Sequence, residues 1–404
     1  MTLKLASTQG HANDAPVDAW ALWDFPFFED RHRALAEAVS DWPEGIHDVP
    51  DMAAECRRIA ADLAARGLLA HVVPEVDADG RVAPIDVRAL CIIREVMGDR
   101  DLLADSVFGM QGIGTGAIWM HGTPQQRARY LPPAREGRAL AGFALSEPEA
   151  GSDVAAMVTE ARRDGDHYIL NGEKTWITNA PFADHYIVVA RTNEAPGARG
   201  LSAFVVDAET PGISFGPNID LIAPHPAASV IFTDCRVPAS ALIGAPGHGF
   251  KLVMGVFDIF RTSVGAAAVG AAGRALRETL ARVRNRHLFG RRMADMEGVQ
   301  FKIADMTVDL ELAAMAVYRA AWAKDTRPGR GSREASIAKL AWSEAAGRIL
   351  DAAVQLHGGI GVTRGSVVER LYRDVRPMRL YEGASEVQKL IIARAVLGLG
   401  RNAG

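Results

Sequence analysis

Glu382 stands in Leu380-Tyr381-Glu382-Gly383-Ala384-Ser385-Glu386, just ahead of an expected helix. A carboxylate in that position is often only a favourable partner for the helix dipole. Beside Leu380 and Tyr381 it can instead be partly desolvated, which lifts its pKa toward the range a general base needs. More than 200 residues earlier lies Phe143-Ala144-Leu145-Ser146-Glu147-Pro148-Glu149-Ala150-Gly151-Ser152-Asp153. Ser146 and Ser152 offer hydroxyls and amides, and Gly151 permits backbone geometry closed to other residues. Such a loop suits a bulky polar ligand, but taken alone it reads more readily as an ordinary polar loop between a helix and a sheet.

Three further segments carry chemistry. In Lys174-Thr175-Trp176-Ile177-Thr178, Trp176 and Thr178 are two apart and share one face of a strand. Together they could wall a planar ring and hydrogen-bond its edge, or be a core Trp with a satisfied Thr. In Gln355-Leu356-His357-Gly358-Gly359-Ile360-Gly361 the glycines either end a helix or let a pyrophosphate approach. This is not a GxGxxG after a strand, so no Rossmann fold is expected. In Arg286-His287-Leu288-Phe289-Gly290, at a helix end, Arg286 could meet a diphosphate or simply be solvated. Asp258 and Arg261, at i and i+3, are placed to pair on one helix face. No His/Cys/Asp/Glu set has metal-ligand spacing, so no metal is expected. Joined, these pieces suggest proton removal by Glu382 coupled to hydride transfer to a flavin.

The elements that must position these groups fall into three stretches. The chain has 404 residues, 49% of them hydrophobic, with net charge −4 and pI about 6.3. That length suggests two to three domains, and the charge points to neither nucleic acid nor an anionic membrane. Cys56, Cys91 and Cys235 are widely spaced, as in a reduced cytosolic protein. The first 20 residues lack an apolar core, so no secretory signal is expected. Without an 18-residue apolar run suggesting a membrane span, a cytoplasmic location follows by elimination.

Residues 1–140 read as helical after an irregular arm to about residue 27, with Leu35, Val39 and Trp42 at helical spacing. Glu75 to Arg81 reads as a loop. Residues 141–245 read as short strands: Val158–Arg163, His167–Leu170, a turn at Asn171-Gly172, then Lys174–Thr178, Tyr186–Arg191, Leu201–Val206 and Ser229–Phe232. Residues 246–404 return to helix. There Ile303, Met306, Val308, Leu310 and Leu312 predict a buried helix, Asp325 to Arg333 a loop, and Ser385 with Gln388 a capping box. The expected class is α+β multidomain: an all-α domain, an antiparallel β-barrel or sandwich, and a second helical domain.

In this order, the five segments resemble the acyl-CoA dehydrogenase family from about residue 25 to the C-terminus. The resemblance implies a C-terminal four-helix bundle, with FAD between it and the β domain. It implies flavin contacts from Phe143, Leu145, Ser146, Trp176 and Thr178, with Ser152 on the flavin or CoA. Arg286, Phe289, Gln355, Gly358 and Gly359 would meet the FAD diphosphate and adenosine, partly across to a neighbouring subunit, with Ala384 and Glu386 also near the cofactor. Arg261 and Gly383 would lie at the thioester, and Glu382 would be the catalytic base. The implied reaction is α,β-dehydrogenation of an acyl-CoA to a trans-2-enoyl-CoA in fatty acid metabolism. Electrons would pass to an electron-transfer flavoprotein, in a homotetramer or a dimer.

Departures from the family pattern sharpen this. Phe260 stands where the isovaleryl type carries its base. Ser106 replaces an arginine expected for dicarboxylic substrates. Glu297 and Ala384 replace a glutamine and a threonine, and Ile222-Ala223-Pro224-His225-Pro226 is unusual near the CoA mouth. Gly112, Gly114 and Gly116, on a helix from Met110 to His121, either leave room for a short, branched or cyclic acyl group or mark close helix packing. Two other readings keep the fold: an oxidase, or an enzyme acting on a carrier-protein-bound acyl group. A flavin-bearing DNA-binding relative is disfavoured by the net charge and by Glu382.

Overall fold

The structure is a computed structural model that describes residues 25–45, 49–77, 79–223 and 225–399. The expectations for the first 20 residues and for Pro224 fall outside them. Five helices come first: α1 (Asp30–Val39), α2 (Met52–Ala65), α3 (Val87–Arg100), α4 (Leu102–His121) and α5 (Pro124–Arg135). Their starts follow from side chains that satisfy the free backbone amides of a first turn. Asp51, Asp86 and Asp101 cap α2, α3 and α4, and Thr123 with Gln126 forms a capping box on α5. Helix α4 is apolar nearly all round because it is covered on nearly every side.

The middle of the chain builds one sheet from β1 (Ala141–Ala144), β2 (Glu160–Asp164), β3 (His167–Thr178), β4 (His185–Arg191), β5 (Leu201–Asp207), β6 (Ile213–Asn218), β7 (Ala227–Pro238) and β8 (Leu242–Ile243). The order is β6-β7-β3-β2-β4-β5-β8, with β1 also on β4. Pairing is antiparallel except that β1 and β2 run parallel to β4, so the sheet is mixed at that strand. Asn171-Gly172 is not a turn. It is a bulge inside the continuous strand β3, where register shifts between Leu170 and Gly172. Gly172 has φ +145°, and a Cβ there would lie 2.5 Å from Thr159 Oγ1. Asn171 Oδ1 accepts from Asp234 N at 2.8 Å, so the dipeptide's turn chemistry is spent on β7.

Helix α6 (Gly249–Asn285) then runs through the centre of the molecule. Beyond it come the hairpin β9 (His287–Leu288) and β10 (Arg291–Arg292), and helices α7 (Glu297–Thr326), α8 (Ser332–His357), α9 (Val367–Val375) and α10 (Ser385–Leu397). α6, α7 and α8 pack on one another and α10 closes against α8, while α3 and α4 cover the remaining sides of α6. By length and composition α6 could cross a membrane, but its apolar window is 89% buried in this core. Helix α7 is not buried all round. Met306 and Leu310 face inward, whereas Phe301, Val308 and Leu312 are each more than half exposed.

Candidate active site

A buried ion pair fixes the loop after β1. Lys174, with no exposed surface, donates to Glu147 Oε1 at 2.7 Å and to the Leu145 carbonyl at 3.0 Å. Glu147 also accepts from Val158 N at 2.6 Å and Thr159 N at 3.0 Å. These donors hold its carboxyl below the usual range against the cost of burial, while burial pushes the Lys174 ammonium down to about 8. Thr175 N donates to the Ser146 carbonyl at 2.9 Å, tying the loop to β3. Leu145 is therefore buried, Ser146 half-buried and Ser152 exposed.

Strand β3 carries a second bulge between Lys174 and Ile177, which turns Lys174 and Thr175 inward together. Trp176 takes φ +55°, a region a bulky side chain seldom adopts. It projects outward and is 53% exposed, with Thr178 partly accessible on the same face. The shared face holds as expected, and Trp176 is not a core residue.

Glu382 is held by its backbone. It has φ +55° and Gly383 has φ +95°. The Glu382 carbonyl accepts from Arg261 Nε at 2.7 Å and from Gln388 Nε2 at 3.3 Å, and Gln388 Nε2 also reaches the Gly383 carbonyl at 2.8 Å. The expected capping box does not form. Ala384 is the N-cap, Ser385 turns to Glu344 Oε1 at 2.6 Å, and Gln388 is occupied by the preceding turn. Nor do Asp258 and Arg261 pair. Asp258 takes Arg330 Nε at 2.7 Å and Ser332 Oγ at 2.9 Å from the α7–α8 connection, which frees Arg261 for Glu382. The Arg261 guanidinium lies 5.2 Å over the Phe257 ring, and Phe257 packs on half-buried Phe143 of β1 at 5.6 Å. That stack joins the sheet to the Glu382 turn.

Glu382 keeps some accessible surface, but its Oε2 is buried and has no hydrogen-bond partner among the described residues. Burial raises its pKa above 4.5, opposed by Arg94, Arg261 and Lys339, while Asp105 pushes the same way as burial. Arg94 is itself bidentate to Asp105 at 2.7 and 2.8 Å, and Lys339 donates to the Met378 carbonyl at 2.9 Å. A carboxylate with an unspent acceptor, poised above its ordinary range, is suited to taking a proton.

Arg94, Lys339 and Phe257 are missed by the motif reading, and Gln388, read there only as a capping-box residue, instead holds the Glu382 turn. The available signal was a cation inside an apolar helical run, as in Ile93-Arg94 and Ala338-Lys339-Leu340. Buried charges of this kind are rarely without a specific role. The glycines of α4 do not open space. A Cβ at Gly112 would meet the Phe260 ring at 2.3 Å, at Gly114 the Ala141 Cβ at 2.5 Å, and at Gly116 Val256 Cγ1 at 2.8 Å. Their absent side chains let α6 and β1 approach.

The remaining predicted residues gather elsewhere. Arg286 caps the end of α6, and Phe289-Gly290 forms the β9–β10 turn with φ +52° and +78°. Phe289 is 96% exposed. Gln355, Gly358 and Gly359 are exposed at the end of α8, where a Cβ on either glycine would meet nothing within 4 Å. The charges of Glu278 and Arg282 act on His357, so the ends of α6 and α8 lie together. Lys339, near the base, precedes Gln355 on α8 by 16 residues, a rise of roughly 24 Å. Ala384 is half-buried beside the base, and Glu386 is exposed in the first turn of α10. One chain therefore ties the β1 end of the loop to Arg261 and Glu382 through Phe143 and Phe257, leaves Trp176 exposed on β3, and holds the Arg286 and Gly358 group at the far end of the bundle.

Family models match nearly the whole described chain: acyl-CoA dehydrogenase N-terminal domain over 29–138, middle domain over 142–235 and C-terminal domain over 247–397. The chain belongs to the acyl-CoA dehydrogenase family. Members are FAD-dependent oxidoreductases. The short-chain specific acyl-CoA dehydrogenase of Rattus norvegicus is 39% identical over 82% of this chain and 80% of its own length. A 3-(aryl)acrylate reductase of Clostridium sporogenes is 36% identical over 92% and 100%. The crystal structure of an acyl-CoA dehydrogenase from Geobacillus kaustophilus superposes with TM-score 0.84 at 31% identity, over 92% of this chain and 99% of that one.

Proposed function

We propose that this enzyme oxidises the Cα–Cβ bond of an acyl-CoA thioester, with Glu382 as the base that removes the α-proton. The observation that carries this reading is the buried, unpartnered Glu382 Oε2 on a turn locked by Arg261 and Gln388. Exposed Trp176, accessible Thr178 and the rigid Ser146–Ser152 loop fit a flavin ring laid on the outer face of β3. FAD bound there supplies the acceptor for the β-hydride.

In this reading Glu382 takes the α-proton as the β-hydrogen departs with its electron pair, leaving a trans-2-enoyl-CoA. The Glu382 amide, on the same locked turn, polarises the thioester carbonyl as negative charge develops there. One preorganised donor of that kind is worth about 3 kcal/mol. Arg261 holds the turn through its carbonyl, and Gly383 keeps side-chain bulk away from the thioester. Reducing equivalents then leave to an electron-transfer flavoprotein.

Arg286, Phe289, Gln355, Gly358 and Gly359 suit the FAD diphosphate and adenosine but sit far along the bundle from the base. This favours a homo-oligomer, a tetramer or a dimer, in which a second copy completes the cofactor site. Three buried, free cysteines fit a reducing cytoplasm. Anaerobic bleaching of the purified flavoprotein by butyryl-, octanoyl-, isobutyryl- and cyclohexanecarbonyl-CoA tests the proposal. Bleaching by at least one thioester is expected, and bleaching by none overturns it. Rapid oxygen consumption with acyl-CoA alone would favour the oxidase reading.

A further inference from the structure

Glu382 sits on a short segment whose ends are both tied to helix α8. The segment leaves the 3-10 turn Arg376–Arg379 and enters α10 at Ser385. Glu344, on α8, reaches both ends at once. Its Oε2 accepts from Arg379 Nη2 at 2.6 Å, and its Oε1 accepts from Arg379 Nε at 3.3 Å and from Ser385 Oγ at 2.6 Å. Earlier on the same helix, Lys339 holds the Met378 carbonyl at 2.9 Å. Leu380 to Ala384, with Glu382 at their centre, is therefore a loop closed by one carboxylate.

The closed loop holds a backbone that needs holding. Glu382 and Gly383 have φ +55° and +95°, successive residues in the left-handed region, and only the second is a glycine. Such a conformation persists where its surroundings over-determine it. Ala384, the N-cap of α10, has no side-chain capping bond, so the usual local lock at a helix start is missing. Arg261 and Gln388 grip the middle of the turn through the Glu382 and Gly383 carbonyls, and Glu344 secures its ends. Burial works against the charge on Glu344, but the Ser385 hydroxyl and the Arg379 guanidinium hold its carboxyl below the ordinary range.

We infer that Glu344 is a positioning residue for the reaction: by joining Arg379 to Ser385 it fixes the Glu382 turn in the conformation from which its carboxyl and amide act on the substrate. This rests on the acyl-CoA reading above and adds to it a residue outside the site motifs. The ion pair itself is a weak source of stability. The Arg379 and Glu344 side chains are 37% and 30% exposed, and pairs this accessible contribute little. Loss of Glu344 therefore falls on geometry more than on folding. A displacement of about 1 Å, caused by a change outside the chemistry, can cost roughly 100-fold in rate.

The test is anaerobic flavin bleaching by a thioester that bleaches the wild type, read as the limiting rate and the half-saturating concentration. Wild type is compared with Glu344→Ala, Glu344→Gln, Ser385→Ala and the Glu344→Ala/Ser385→Ala double variant. Arg348→Ala is the control, because it breaks a similar fork from α8, made to Asp309 of α7 at 2.8 and 2.6 Å. Glu344→Ala should lower the limiting rate by roughly 10- to 100-fold and leave the half-saturating concentration within about twofold. Its Tm should fall no further than that of Arg348→Ala, whose rate should match wild type. Glu344→Gln keeps an acceptor for Ser385 and should recover part of the rate. The double variant should be no slower than Glu344→Ala, which already lacks the Ser385 bond. A Glu344→Ala rate within about twofold of wild type, an equal fall in Arg348→Ala, or additive losses in the double variant would overturn the inference. If Glu344→Ala loses its flavin, the Glu344→Gln and Ser385→Ala rates decide by the same measure. A wild type that no thioester bleaches would overturn the dehydrogenase reading itself, and the inference with it.

Discussion

Replacing Lys174 by Met should loosen the loop proposed to carry the flavin. Lys174 Nζ is wholly buried and has two oxygen acceptors, Glu147 Oε1 and the Leu145 carbonyl. In Lys174→Met, Glu147 keeps only the Val158 and Thr159 amides, and the Leu145 carbonyl loses its donor. Breaking a buried pair from one side costs about 3–5 kcal/mol. Glu147→Gln leaves Lys174 as the orphan and should cost a similar amount. In the double variant a neutral amide faces an apolar chain, so part of the loss is recovered and the cycle is non-additive by about 1–3 kcal/mol. Where half of the single-variant loss falls on the position of Leu145 and Ser146, the FAD dissociation constant rises by roughly ten- to sixtyfold. Urea unfolding of the flavin-free chains, followed by tryptophan fluorescence, reads the first quantity, and titration with FAD reads the second. A Lys174→Met variant within 1 kcal/mol of wild type, or an additive cycle, would refute the argument that this pair holds the loop.

Two other variants probe the base and its setting, and a third probes the pH dependence of stability. Gly383→Ala places a Cβ 2.6 Å from Gln388 Nε2 at φ +95°; it should cost about 1–3 kcal/mol and lower kcat through displacement of Glu382, checked by denaturation and steady-state rates. Lys339→Met removes a charge that favours ionised Glu382, so the acidic limb of kcat/KM against pH should move upward; an unmoved limb would exclude Lys339 from that role. Glu95, hydrogen-bonded to Tyr318, is raised by burial to about 7. Its folded form binds a proton that the unfolded chain has lost, so stability falls as pH rises from 4.5 toward 7. Glu95→Gln should flatten the fall in Tm over that window, incompletely because Asp374, raised by burial to about 6, acts in the same direction.

What was legible in the sequence was mostly periodicity and local chemistry. The helical, sheet and helical stretches were visible because apolar spacing changes near Ala141 and again after Gly249. Glu382, Arg261 and Trp176 were visible because their segments are dense in unusual residue types. Asn171-Gly172 misled because the same permissive backbone serves a turn or a bulge, and only the register with β7 distinguishes them. The small residues of α4 were ambiguous in a related way: a missing side chain marks either a cavity or a close approach, and Phe260, Ala141 and Val256 fill the space, as the close-packing alternative requires. The true neighbours of Glu382 come from α3, α6, α8 and α10, so no local pattern could have assembled them. Positive φ at Trp176, Phe289 and Glu382 is likewise invisible in sequence, yet it marks three of the predicted site residues.

The most direct test of the central claim is anaerobic flavin bleaching by an acyl-CoA substrate in Glu382→Gln, an isosteric change that removes the base and leaves the turn. The account predicts that the variant retains bound flavin and the wild-type fold while substrate no longer bleaches it. Full bleaching at the wild-type rate would show that another group removes the α-proton.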